Sequence, residues 1–344
     1  MLVGWGRRVP DQGWITASEE LPVAYRFEPD ESVREAITRC AGEQLDRAVQ
    51  ELSPETENDP VAAVHAARKA VKKERALLRV AQGTLGSRQR ATENGAVRDA
   101  ARSLSGVRDA DVMIQTLDEL SHRFSGQLPE SAFAAVRKQL KPRRSSERAR
   151  GTAKLSAEAM QDLSAVRARV DDWKLERDGW GAIDDGLLRT YRRGRESFWQ
   201  AREEPSLENL HAWRKRVKDL WYQLRLLTPV CGPTVGGQAE EAHRLADCLG
   251  DDHDLGVLKQ TLLQIGRDLA IDLDGLLGLV DYRRGELQTE AMHVGQRLYA
   301  EKAKPFGCRI HRYWDAGRAQ ARAANESQPA KLAEATRGGP FTTT

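Results

Sequence analysis

The chain has 344 residues, long enough for two ordinary domains or one large duplicated domain with a substantial core. Charged side chains make up 31% of it, yet 54 Lys and Arg face 51 Asp and Glu, so the net charge is only +3. That balance excludes a function resting on bulk positive charge. Any anion site must arise from local segregation of charge.

In chain order, residues 1–27 mix Gly, Pro and Trp without periodicity and read as an irregular leader. The start, Met1-Leu-Val-Gly-Trp-Gly-Arg7-Arg8, lacks the apolar core of a secretory signal. No run approaches the ~18 apolar residues of a membrane span. Cys40, Cys231, Cys248 and Cys308 share no paired or metal-type spacing, which fits a reducing compartment and predicts a cytoplasmic protein. From Glu31 onward Leu, Ala, Glu, Arg and Gln dominate, and strand-type alternation is missing. Asp59-Pro60 and Glu204-Pro205-Ser206 each precede a long helix. Gly83 and Gly86 close the first of these, and Thr228-Pro229 with Gly232-Pro233 closes the second. Further breaks are predicted at Pro129, Pro142, Gly179, Gly186 and Pro305, and a disordered tail over 321–344.

Those two helices carry one pattern twice. His65-Ala-Ala-Arg68-Lys69-Ala-Val-Lys72 is matched by His211-Ala-Trp-Arg214-Lys215-Arg216-Val217-Lys218, and a further Arg follows at +14 in each, Arg79 and Arg225. On a helix these positions fall on one side and form a stripe of cations. Ala67, Ala70, Leu77 and Leu78, or Trp213, Leu220, Leu224 and Leu227, back it with an apolar face. Charged heads roughly 5–6 Å apart suit a chain of phosphates, with Arg as a planar fork and Lys as a mobile charge. An ordinary solvated face with intrahelical ion pairs fits less well, because Glu74 lies on the far side and Asp219 near the edge. Each His opens its stripe and is either a packed structural residue or an N–H donor to a phosphate oxygen.

The repeat extends further. Leu104-Ser-Gly-Val-Arg108-Asp109 through Leu117 aligns with Leu249-Gly-Asp-Asp-His253-Asp254 through Leu262, at an offset one residue shorter. Asp109 and Asp254 recur, as caps of a helix start or as carboxylates orienting a stripe Arg or His. Matching order predicts an all-α chain of two tandem four-helix bundles related by internal duplication, with pseudo-two-fold symmetry, over 28–178 and 179–320. Their His helices are expected to face a shared groove. A third basic segment, Tyr191-Arg192-Arg193-Gly194-Arg195 with Arg202, either pairs with Glu196 and Glu203 on the surface or adds a wall to that groove. The denser cluster Lys138, Lys141, Arg143, Arg144, Arg148 and Arg150 has no counterpart in the second half.

Rival chemistries explain less. An HD-type metal phosphohydrolase would use His211, His243, His253-Asp254 and Asp281, but it leaves the first half unexplained. The aspartate motif at Asp251-Asp252-His253-Asp254 has Leu255 where its last Asp should stand. A nucleic-acid backbone would also fit basic grooves, but the stacking aromatics it favours are limited to Trp221 and Tyr222. No Gly-x-x-x-x-Gly-Lys-[Ser/Thr] phosphate loop is present.

Order and duplication together resemble the CHAD family, the conserved histidine α-helical domain. The carriers are the two His-x-x-Arg-[basic]-x-x-Lys helices, Val107-Arg108-Asp109-Ala-Asp111-Val112, Tyr191-Arg-Arg-Gly-Arg195, and Gly295-Gln-Arg297-Leu298-Tyr299-Ala-Glu-Lys302-Ala-Lys304-Pro305-Phe306. The resemblance spans roughly residues 28 to 320. It implies a basic surface that binds inorganic polyphosphate without catalytic turnover, cofactor or metal. The binding set would be His65, Arg68, Lys69, Lys72, Arg79 and Arg108, then Tyr191, Arg192, Arg195 and Arg202, then His211, Arg214, Lys215, Lys218 and Arg225, with Lys302. Implied partners are polyphosphate granules and polyphosphate-metabolising enzymes, with no membrane and nucleic acid disfavoured. One departure is the acidic second copy, Asp251-Asp252-His253-Asp254 in place of Gly106-Val107-Arg108-Asp109. Some members carry a CYTH triphosphatase with a Glu-x-Glu-x-Lys signature. Here Glu55-Thr-Glu57-Asn-Asp59 ends in Asp, and no such domain is expected.

Overall fold

Tyr25 and Phe27, within the segment expected as an irregular leader, are buried side chains at the start of the described residues. The Tyr25 hydroxyl donates to Lys73 O at 2.8 Å and the Phe27 N–H to Leu226 O at 2.9 Å, so this segment spans the two His helices. The computed structural model describes residues 25–54, 60–104, 109–141, 146–265 and 271–337. The N-terminal segment through residue 24, Arg108, the break expected at Pro142 and residues 338–344 lie outside them.

Helix α1 (Val33–Leu52) starts on a capping box. The Glu35 N–H donates to the Ser32 hydroxyl at 3.2 Å, and the Ser32 N–H donates to the Glu35 carboxylate at 2.9 Å. There follow α2 (Pro60–Val80), α3 (Ser87–Ser103), α4 (Asp109–Arg123), α5 (Glu130–Leu140) and α6 (Ser146–Val170). The second half holds α7 (Asp184–Glu203), α8 (Leu207–Cys231), α9 (Pro233–Ile265), α10 (Leu273–Leu298) and α11 (Ala303–Arg337). Among the described residues there is no strand, only isolated bridges at Leu85–Leu175 and Ser125–Leu128. The protein is all-α, as expected. No described helix is long and apolar enough to cross a membrane.

Helices α1, α2, α3 and α6 pack on one another around Ile37, Leu45, Leu77 and Val166. Helices α7 to α11 gather around α8 and α9, with Trp213, Leu220, Leu249 and Leu258 in the core. The groups meet where α2 lies against α7 and α8, and α4 against α9. Among the described residues the first group thus has four helices and the second five, with α4 and α5 outside both and α4 resting on α9. The aligned segments also differ in form. Helix α3 ends at Ser103 and α4 begins at Asp109, whereas α9 runs unbroken through Leu249–Asp254.

Several expected boundaries shift. Helix α8 continues through Pro229, which sits in its last turn, and stops at Gly232, where φ is +81°. The Gly232 N–H donates to Thr228 O at 2.8 Å, a turn that a residue with a Cβ resists. Gly186 lies inside α7 and marks no break. A Cβ there would run into the backbone of Arg79 and Val80, so its missing side chain lets α7 close on the end of α2. Pro305 falls in the first turn of α11, where its missing N–H costs nothing. Helix α11 continues to Arg337, past residue 321, because its Ala- and Arg-rich sequence favours helix. Arg318 anchors it by donating to the carbonyls of Pro29 and Glu31.

One polar group stands out in the core. Glu74 is fully buried, and neither carboxylate oxygen has a hydrogen-bond partner. Burial, with Glu93 nearby, pushes its carboxyl up to about 8, so it is held protonated at neutral pH.

Candidate functional site

Helix spacing puts Arg68, Lys72, Arg75 and Arg79 on one face of α2, and His211, Arg214, Lys215, Lys218 and Tyr222 on one face of α8. Contacts between the helices run in opposite directions. Arg79 pairs with Asp219 at 3.3 Å, and Gln223 donates to Ala76 O at 3.2 Å. The segment Tyr25–Phe27 joins Lys73 to Leu226 further along. The two stripes are therefore antiparallel and border one groove of about 640 Å³, floored by Val112 and Met113 of α4 and Val257 of α9.

Among the described residues, eight cationic side chains line that groove against two carboxylates, Asp219 and Asp254. Arg68 is steadied by donating to Leu104 O at 3.3 Å. Arg79 and Arg216 each hold Asp219 at 3.3 Å, so this carboxylate clips α2 to α8. Burial pushes the Asp219 carboxyl up, against the pull of Arg79, Arg216 and Arg75. Burial also lowers the Arg75 guanidinium, helped by Arg79 beside it. Arg214 lies over Gly250 of α9, where a Cβ would come within 2.8 Å of its Nη2. Its Nε is buried without a partner.

His211 stacks on His253 of α9, ring centroids 4.1 Å apart and planes 24° from parallel. Burial, then His253, Lys215 and Arg214, pull His211 down to about 4. His253 is also lowered, first by burial and then by Arg214, while Asp254 and Asp252 oppose. Both rings are neutral near pH 7, and each Nδ1 is buried without a partner. Asp252 is occupied elsewhere, accepting from Arg284 Nε at 3.0 Å and Gln288 Nε2 at 2.8 Å. Among the described residues, no three His, Cys, Asp or Glu side chains gather to hold a metal.

Of the expected binding residues, the groove brings together Arg68, Lys72, Arg79, His211, Arg214, Lys215 and Lys218, with Asp254. Asp254 sits mid-helix, where the backbone N–H groups are already bonded, so it is no cap. Asp109 does begin α4, but its side chain, like Arg108, lies outside the described residues. Others lie away from the groove. His65 and Lys69 are exposed on the early turns of α2. Tyr191 is a core residue, stacked on Phe306 at 3.9 Å and donating to Leu298 O and Glu301 O at 3.1 Å. Arg195 donates to Tyr299 O, and it and Arg202 lie over Trp199. Arg192 faces Glu196 on the surface, and Lys302 precedes α11, its carbonyl accepting from Phe306 N–H. Arg225 lies over Trp221 beyond the helix crossing. Arg75, Arg216, Asp219, Tyr222 and His253 are lining residues that sequence reasoning leaves out of the binding set. Arg75 was legible, since it continues the spacing of Arg68 and Lys72.

These features define an all-helical protein with a cation-lined groove along a seam between two helix groups. The family model of the CHAD domain matches residues 39–263, well over half the chain, and the chain belongs to that family. No curated protein sequence matches it. Among solved structures, PptA from Streptomyces chartreusis aligns with a TM-score of 0.50 at 15% identity, covering 78% of this chain and 99% of that one. At that identity the likeness is one of fold.

Proposed function

We propose that this protein binds inorganic polyphosphate in the α2/α8 groove without turning it over, as a storage, granule-targeting or recruitment module in the cytoplasm. The observation that carries this is the eight-to-two excess of cations over carboxylates among the described residues of one groove, contributed by both His helices. Family membership supports it, since the CHAD domain is associated with polyphosphate. Tyr222 is the one Phe, Tyr or Trp among the described lining residues, which gives bases little to stack on and favours a bare phosphate chain over nucleic acid.

Binding of long polyphosphate is expected to weaken steeply with salt. Log affinity should fall linearly with log salt, because neutralised phosphates release their counterions. Chelator should leave affinity unchanged, and electrophoresis should show the chain length intact after prolonged incubation. Affinity abolished by chelator and restored by Mn²⁺ or Fe²⁺ would instead reveal a metal-dependent hydrolase. Equal competition by single-stranded nucleic acid would reassign the ligand.

Acid should reveal the histidine pair. The folded His211 value lies below its unfolded one, so between about 4 and 6.5 the unfolded chain holds the extra proton. The ligand-free protein therefore loses stability as pH falls through that window. A bound polyanion reverses the local field, so binding takes up protons there and strengthens with acid. Calorimetry in buffers of different ionisation enthalpy reads this uptake. The double variant His211→Gln, His253→Gln should abolish it, and retention of wild-type uptake would assign the protons to other groups.

A further inference from the structure

Three groove residues, Arg79, Arg216 and Asp219, also line a second, smaller pocket of about 230 Å³. Its other wall is built by Arg90 and Asn94 on α3 and by Arg189 and Arg193 on α7. Five guanidiniums thus surround a single carboxylate, and that carboxylate is already shared by Arg79 and Arg216. None of Arg90, Arg189 and Arg193 is paired with a carboxylate among the described residues, and Arg90 Nε is buried without any partner. The Asn94 Oδ1 is likewise buried without a partner, and rotation of that amide would put an N–H donor in the place of this acceptor.

An internal phosphate of a linear chain offers two free oxygens and continues on both sides. A terminal phosphate offers three, carries up to about two negative charges, and continues on one side only. Arginine forks suit the greater charge and oxygen count of the end. A small arginine-lined pocket of about 230 Å³, bordered by three residues of a longer groove, suits the charge and oxygen count of an end better than those of an internal phosphate.

We infer that this side pocket seats the terminal phosphate of a polyphosphate chain whose body lies along the α2/α8 groove. The inference rests on the proposed reading of that groove and adds end recognition to it. Arg189 and Arg193 lie on α7 outside the groove and away from the buried core, so they can be changed without disturbing either.

The test uses the full chain and two probes: polyphosphate of one fixed length with free ends, and the same polymer with both ends capped as alkyl phosphoramidates. Wild type is expected to bind the free-ended chain about tenfold or more tighter, as loss of a few charge-assisted contacts would require. Arg189→Ala with Arg193→Ala should erase this preference while still binding the capped chain as wild type does. Arg90→Ala, on another helix, should act the same way. No end preference in wild type would overturn the inference while leaving the groove reading intact. So would a preference that survives the variants, or variants that weaken both probes equally. Wild type binding neither probe would overturn both.

Discussion

Removing Arg214 and Lys218 from α8 (Arg214→Ala, Lys218→Ala) is expected to weaken binding of long polyphosphate by roughly 10²-fold. Removing Arg68 and Lys72 from α2 should do nearly the same. Each charge-assisted hydrogen bond contributes about 1.5–3 kcal/mol, and water reaching the groove screens part of that, so two lost contacts amount to about two orders of magnitude. Both halves should matter because the stripes border one groove. Lys69→Ala and Arg192→Ala, which lie away from it, should change affinity by less than about threefold, as surface charges do. Titration of a labelled chain at fixed salt reads all of these. Loss confined to one helix would mean that the stripes do not share a ligand.

The second large effect concerns stability. Glu74 is buried with its carboxyl raised to about 8. For a group whose folded value lies above its unfolded one, the stabilising contribution is present below the unfolded value near 4.5 and fades as pH rises toward 8. A tenfold difference in proton affinity between the folded and unfolded chain corresponds to about 1.4 kcal/mol, so the total is on the order of a few kcal/mol. Glu74→Gln keeps the shape and removes the ionisation. Its melting temperature should match wild type near pH 5 and exceed it increasingly toward pH 8. Parallel melting curves across that range would mean that Glu74 ionises without penalty.

The stripes were legible because helix geometry alone turns the spacing of Arg68 and Lys72, or His211 and Lys218, into one face. Arg79 and Arg225 occupy equivalent places in the repeat, yet only Arg79 reaches the groove. The antiparallel crossing at Ala76 and Gln223 separates them, and no local pattern encodes that crossing. Tyr191 shares a helix face with Arg195, but the aromatic cluster with Phe306 and Tyr299 claims it for the core. Helix spacing alone sets Asp219 at the stripe edge, whereas packing of α2 on α8 brings it to the middle of the cations. His253 was visible as an oddity of alignment and as a candidate ligand of the rival metal site. Its stacking on His211 depends on how α9 lies beside α8.

The eight described cations of the groove, set against two carboxylates, repel one another. The lowered values of His211 and Arg75 register that mutual repulsion, added to burial. That repulsion acts along the seam that joins the two helix groups, and the Asp219 clip and the Tyr25–Phe27 segment hold the seam against it. A polyanion bound there as proposed would act as mortar, relieving that repulsion and tightening the joint.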